Sequence, residues 1–192
     1  MYMPLLVMVF FSFNESNSTA KFTGFSLHWY EEMLRDSAAM DALKNTLILA
    51  VVSTVIATVL GTLAAVGIFG MRNKWFKTGV LSATNIPMMN PDIVAGVSLM
   101  LLFAFVGRMV GAVESLGFGT ILITHVTFSL PYVVLNVLPR LMQTDPHLAE
   151  AAQDLGSTPV QAFFRVVLPS ISSGVVSGAL MAFTLSIDDF VI

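Results

Sequence analysis

Three long stretches of this chain contain no Asp, Glu, Lys or Arg, and this feature limits the possible folds most. They cover residues 45–71, 115–139 and 166–187. Each reaches the roughly 20 residues that a helix needs to cross the hydrocarbon core of a bilayer. Lipid offers backbone groups no hydrogen-bond partner, so such runs fold as helices. Hydrophobic residues make up 56% of the 192 positions and charged residues only 11%. The sequence therefore predicts an all-α, polytopic transmembrane helical bundle.

Two further apolar stretches extend this bundle. Residues 78–107 are too many for one straight span at about 1.5 Å per residue. Because they contain Pro87 and Pro91, we predict a broken or kinked helix here. Residues 1–13 are apolar but short, and we interpret them as the outer end of a first span whose beginning is missing. One membrane domain over residues 1–192 is thus expected, with spans at about 1–13 (partial), 42–69, 78–107, 119–138 and 170–192.

The positions of basic residues predict which loops lie inside the cell. Arg72, Lys74 and Lys77 cluster in one short loop, whereas residues 14–41 carry two basic residues among five acids. Because short cytoplasmic loops are enriched in Lys and Arg, the Arg72 loop is assigned to the inside. Alternation of the spans then places residues 14–41 outside and the polar segment 145–169 inside.

Segment 145–169 has the signals of a capped helical hairpin. Asp145-Pro146 offers an N-cap followed by proline, which predicts a helix start. An apolar stripe at helical spacing follows, and Gly156 is placed to end this helix in the left-handed conformation. Thr158-Pro159 and Gln161 form a capping-box pattern for a second helix. We expect Pro169 to stop that helix. The two predicted stripes are Leu148, Ala151, Ala152, Leu155 and Val160, Phe163, Phe164, Val167.

This hairpin resembles the EAA loop of ABC-importer permeases, in which Glu-Ala-Ala is followed by glycine and later by Leu-Pro. The resemblance implies a type I ABC-importer permease fold. Permeases of this kind have about six spans, so the chain is read as a fragment lacking the last span. In the family the loop is the coupling helix that sits in a cleft of a separate ATPase. The coupling residues implied are Glu150, Ala151, Ala152, Asp154, Leu155, Gly156, Phe163, Leu168 and Pro169.

Acidic residues near the spans are candidates for a substrate pathway. A carboxylate at the centre of a bilayer costs about 2.5–3.5 kcal/mol on insertion scales, so one that is retained there most often serves a pathway or a partner. Asp92 follows Asn90 and Pro91, and Asp188 and Asp189 end the last apolar run. We predict Asn90, Asp92, Asp188 and Asp189 as pathway residues. Two alternatives remain open: Asp92 as an N-cap, and the Asp188-Asp189 pair as solvated interfacial residues.

The sign of these charges favours a cationic substrate. No Lys or Arg lies in the interior of the complete spans, so an anion would depend on helix N-termini alone. The segments NPDIVAGVSLMLLF and FTLSIDDFVI also resemble the second membrane subunit of spermidine/putrescine importers. This resemblance implies uptake of polyamines. A permease of the same family for another solute, such as ferric iron, is the alternative.

The resemblance also implies partners. They are two copies of an ATP-binding subunit, a second permease subunit and a soluble solute-binding protein, with the chain itself in the lipid of a bacterial inner membrane. No Walker A sequence occurs, so ATP would be bound and hydrolysed by the partner, and no cofactor, metal or nucleic acid is expected in this chain. The chain is therefore predicted not to be an enzyme, and it carries neither HExxH nor GxSxG. A channel-like or structural membrane subunit is the alternative from another class, but it would not require the hairpin.

Two smaller expectations concern packing inside the bundle. Gly61, Gly67, Gly174 and Gly178 are predicted to let helices approach closely. His125 stands alone in its span and is predicted to be a hydrogen-bonded packing residue.

Overall fold

The computed structural model describes residues 2–16, 21–89, 92–111 and 117–188, and these are almost entirely helical. The one pairing of extended residues among them is an isolated bridge between Asn14 and Phe25. The predicted all-α class is confirmed. The helices are α1 (Met3–Phe11), α2 (His28–Arg35), α3 (Ser37–Phe69), α4 (Lys74–Met89), α5 (Asp92–Val110), α6 (Phe118–Gln143), α7 (Leu148–Asp154), α8 (Pro159–Ala162), a π-helical turn (Phe163–Val167), α9 (Leu168–Ser170) and α10 (Ser172–Asp188).

Within the described residues, two helices, α3 and α6, are long and apolar enough on their own to cross a membrane. Two bent helix pairs also qualify if each pair counts as one span, which raises the number to four. The axes of α4 and α5 differ by 104°, and those of Pro159–Ser170 and α10 by 72°. The stretch 78–107, predicted to be broken at its prolines, is thus divided between α4 and α5, with Pro87 inside α4.

Residues 1–47 form one compact unit. Asn14 organises it, since its side chain is buried and its Oδ1 accepts a hydrogen bond from the backbone N–H of Thr23 at 2.8 Å. The indole N–H of Trp29 donates to the backbone oxygen of Asn14 at 3.1 Å. The rings of Phe13 and Phe25 stack with their centroids 5.3 Å apart. Hydrogen bonds and ring stacking therefore tie residues 12–16 to residues 21–30.

Residues 48–192 form the second unit, and small side chains let its helices approach closely. A Cβ on Gly174 would lie 2.9 Å from the backbone oxygen of Asn136, and one on Gly178 would lie 3.1 Å from the Cα of Val133. Gly61 has a similar contact with α6. Close packing is thus confirmed at these three glycines. Within this chain no such contact is present at Gly67, which lies on the exposed side of α3 with nothing within 4 Å of an added Cβ.

Candidate coupling hairpin and pathway residues

The first hairpin helix, α7, begins two residues later than the Asp145-Pro146 pattern predicts. The Oδ1 of Asp145 accepts a hydrogen bond from the backbone N–H of His147 at 2.9 Å. This bond closes an Asx turn, so the carboxylate orders the approach to the helix and is not its N-cap. The N-cap is His147, and the helix runs over Leu148–Asp154.

The turn between the hairpin helices has the geometry that the sequence predicts. Gly156 has φ +88°, in the left-handed region. Its N–H donates to the oxygen of Gln153 at 2.8 Å, and the N–H of Ser157 donates to the oxygen of Ala152 at 3.1 Å. This is the Schellman pattern, which satisfies the last carbonyls of a helix. Glycine adopts such a φ without steric cost, so the direction of the second helix is fixed here.

The second hairpin helix starts with the predicted capping box. The Oγ1 of Thr158 accepts from the N–H of Gln161 at 3.3 Å, and the Oε1 of Gln161 accepts from the N–H of Thr158 at 3.2 Å. Pro159 occupies the first helical position.

The prediction that Pro169 stops this helix is wrong. Helical backbone continues to Ser170, and the bend falls at Ile171. The residues before Pro169 form a π turn, in which the N–H of Leu168 donates to the oxygen of Phe163. Proline in a regular helix clashes with the carbonyl four residues back. We attribute its tolerance here to the wider turn that precedes it.

The tip of the hairpin exposes an apolar surface made by Leu155, Val160 and Phe164. These side chains are 89%, 65% and 60% exposed. Ala152 and Ala162 are buried at 8% and 1% and hold the two helices together. These three large apolar side chains therefore point away from the hairpin, and small side chains lie where its two helices meet. We call Leu155, Val160 and Phe164 the hairpin surface.

The residues that the EAA resemblance implies for coupling occupy different environments. Ala152 is buried, and Phe163 and Leu168 are half-buried. These three support the hairpin from within. The others are exposed: Glu150, Ala151, Asp154, Leu155, Gly156 and Pro169.

Glu150 already has a partner inside the hairpin. Its Oε2 lies 2.9 Å from Nδ1 of His147, one helical turn earlier, and both side chains are well exposed. The hydrogen bond to Glu150 is the main cause that raises the pKa of His147, followed by the charges of Glu150 and Asp145. This pair was not predicted from the sequence, although side chains three residues apart at the start of a helix can meet.

A cavity of about 200 Å³ lies beneath the hairpin. Val66 and Phe69 of α3 and Leu141 of α6 line one side, and Leu148 and Phe163 of the hairpin line the other. The hairpin therefore rests on the ends of α3 and α6 with free volume below it.

The structure describes two of the four predicted pathway residues. Asp92 is the first residue of α5. Asp188 is the last residue of α10, and its side chain is exposed. Asn90 and Asp189 lie outside the described residues. Within the described parts of the chain, no three His, Asp or Glu side chains are arranged as a metal site.

Comparison with known proteins gives consistent similarities. Residues 57–192 match the family described as the binding-protein-dependent transport system inner membrane component. The putrescine transport system permease protein PotI of Escherichia coli K12 is 40% identical over 192 residues, which is 100% of this chain and 68% of that protein. The spermidine/putrescine transport system permease protein PotC of Haemophilus influenzae is 38% identical over 100% of this chain and 72% of its own length. The PotC homologue of Mycoplasma genitalium is 32% identical, with coverages of 100% and 69%.

Proposed function

Because the chain belongs to the inner membrane components of binding-protein-dependent transport systems, we propose that it is the permease subunit through which an ATP-driven importer takes up polyamines such as spermidine and putrescine. Members of this family are transport subunits of the inner membrane and not enzymes. The observation that carries the substrate class is the likeness to permeases named for putrescine and spermidine over the full length of the chain.

The acids give this assignment a chemical basis. Polyamines are chains of methylene groups with protonated amines, so carboxylates along a pathway would replace part of their hydration. Asp92 and Asp188 each stand at the end of an apolar helix. Asn90 and Asp189 are their sequence neighbours. In this proposal, Asp92, Asp188 and Asp189 attract the cation and Asn90 contributes a neutral polar contact.

The hairpin is proposed to couple transport to ATP hydrolysis by a separate subunit. Its large apolar side chains are exposed, and the polar caps fix the angle between its helices. A bilayer does not cover a polar, capped hairpin at the cytoplasmic side, whereas a protein cleft does. Two ATP-binding subunits, a second permease and a soluble solute-binding protein complete the proposed complex. The chain itself is proposed to need no cofactor.

Neutralising the acids tests the proposal. In cells that carry the complete transporter, we expect Asp92→Asn and the double variant Asp188→Asn/Asp189→Asn to lower the uptake of radiolabelled spermidine about tenfold, with normal amounts of complex in the membrane. Asp36→Asn, a change of an exposed acid just before α3, is the matched control and should transport at the parental rate. Parental uptake by both pathway variants would contradict the acidic pathway. Uptake of ferric iron but not of polyamines would assign the chain to the alternative substrate.

A further inference from the structure

Three polar side chains from three helices form a buried hydrogen-bonded cluster in the second unit. The Oγ of Ser186 in α10 lies 2.9 Å from Nδ1 of His125 in α6 and 3.0 Å from Oγ of Ser53 in α3. The hydroxyl of Ser53 also donates to the backbone oxygen of Ala50 at 3.2 Å. Ser53 is fully buried, and the other two are each 4% exposed. We call Ser53, His125 and Ser186 the serine–histidine clasp.

The clasp joins three helices at one depth. At about 1.5 Å per residue, Ser53 is about 24 Å from the end of α3 at Phe69, and His125 is about 27 Å from the end of α6 at Gln143. Ser186 is about 21 Å from the start of α10 at Ser172. These ends belong to the side that carries the hairpin. The clasp therefore lies in the half of the bundle farthest from the hairpin, where α10 ends.

The clasp also fixes the rotation of the last turn of α10. Asp188 follows Ser186 by two residues, which corresponds to about 200° around a helix. When the hydroxyl of Ser186 points inward to α3 and α6, the carboxylate of Asp188 is directed to the opposite side. The structure agrees, since Ser186 is buried and Asp188 is exposed. An apolar residue at position 186 would fill the same space but would not specify this rotation, because hydrogen bonds are directional and apolar contacts are not.

We propose that the serine–histidine clasp is a positioning element, which holds the end of α10 so that the carboxylate of Asp188 faces the substrate and not the interior of the subunit. Ser53, His125 and Ser186 do not touch the substrate; they act through Asp188. This inference rests on the proposed function for its role in recognition, but the orientation of α10 that it requires is independent of the substrate.

Uptake kinetics of the complete transporter test the recognition role. Ser186→Ala should raise the KM for spermidine roughly fivefold, which corresponds to about 1 kcal/mol, with little change in the maximal rate per complex. Ser186→Thr keeps a hydroxyl and should restore most of the parental KM. Ser177→Ala, on an exposed position of the same helix, is the matched control and should have no effect. In an Asp188→Asn background, Ser186→Ala should add nothing further, because two residues that act through one group are not additive. A parental KM for Ser186→Ala, or a full additional loss in the Asp188→Asn background, would overturn the proposal.

A second readout does not depend on the substrate. The sequence contains no cysteine, so Ile187→Cys places a single thiol on the turn that the clasp fixes. Ser186→Ala should change the rate at which a membrane-impermeant maleimide labels Cys at this position in the assembled complex, whereas Ser177→Ala should not. Equal labelling rates with and without Ser186→Ala would overturn the proposal that the clasp orients α10. If the parental complex does not transport polyamines, the proposed function is wrong. The labelling rates still show whether the clasp orients α10.

Discussion

Gly61 of α3 and Val133 of α6 approach each other so closely that a Cβ on Gly61 would lie 2.7 Å from the Cβ of Val133. Real Cβ atoms do not reach this distance, and both residues are buried. The contact brings together the two helices that can each cross a membrane alone. At position 61 there is therefore room for the hydrogen atom of glycine but not for a Cβ.

Gly61→Ala should therefore destabilise the subunit by about 1–3 kcal/mol, the usual cost of overpacking a core. Gly67→Ala on the same helix is the matched control, since nothing lies within 4 Å of its added methyl group. Alanine also forms helices better than glycine, so this control should be neutral or slightly more stable. Thermal unfolding of both variants in the same detergent gives the comparison. Equal stability of the two variants would show that the helices do not pack at Gly61.

The pair of His147 and Glu150 predicts a pH dependence of the hairpin. Since Glu150 raises the pKa of His147 in the folded hairpin, the pair stabilises the hairpin below the ordinary histidine pKa near 6.5. The stabilisation is lost as the pH rises through the raised value. A histidine NMR titration of the full chain should show the pKa of His147 falling toward its ordinary value in Glu150→Gln. Asp154→Asn, at the other end of α7, should leave it unchanged. If the pKa of His147 is the same in the parental chain and in Glu150→Gln, then Glu150 does not interact with His147 as described.

Gly156 should be required for coupling because its left-handed backbone forms the turn between the hairpin helices. Valine at φ +88° costs about 1 kcal/mol or more, and no neighbouring atom lies within 4 Å of the added Cβ. The strain is thus conformational. We expect Gly156→Val to be present in the membrane at parental levels but to retain less ATPase on purification of the complex. Glu150→Ala should also leave less ATPase bound to the purified complex.

Normal ATPase binding and normal transport by both variants would eliminate the coupling role of the hairpin. A loss of the subunit from the membrane in Gly156→Val would instead indicate that the hairpin serves the fold of the permease. Ser170→Ala, an exposed change at the far end of the second hairpin helix, is a control that should bind the ATPase normally.

The orientation of the chain is testable with single cysteines, again because the chain has none of its own. A membrane-impermeant thiol reagent should label Glu31→Cys in intact cells. It should label Lys74→Cys and Gln153→Cys only after the membrane is opened. The reverse pattern would overturn the orientation that Arg72, Lys74 and Lys77 predict.

The sequence predicted the parts of the hairpin that depend on neighbouring residues. Gly156 and the Thr158–Gln161 capping box have a local signal, and the structure confirms both. The effect of Pro169 was misjudged because the π turn that precedes it has no marker in the sequence. The start of α7 was misplaced because Asp145 has two possible acceptor roles, an N-cap or an Asx turn, and the pattern does not distinguish them.

Contacts between segments that are distant in the sequence could not be predicted from sequence patterns. Ser186 and Ser53 are separated by 133 positions, and their pairing depends on the register of α3 against α10. The prediction that His125 is a hydrogen-bonded packing residue is confirmed, but its partner could not be named. Likewise, glycine spacing suggested close packing, but only the structure shows that Gly61 faces α6 and Gly67 does not.

ATP-dependent uptake by the reconstituted transporter tests the central claim most directly. Proteoliposomes that contain this permease, its second permease and the ATPase, with ATP inside and binding protein outside, should accumulate radiolabelled spermidine against its gradient. Accumulation should stop when this subunit is omitted or when ATP is replaced by a non-hydrolysable analogue, and unlabelled putrescine should compete. Accumulation of spermidine by proteoliposomes that lack this subunit would contradict the account. A complete complex that transports another solute but does not accumulate spermidine would also contradict it.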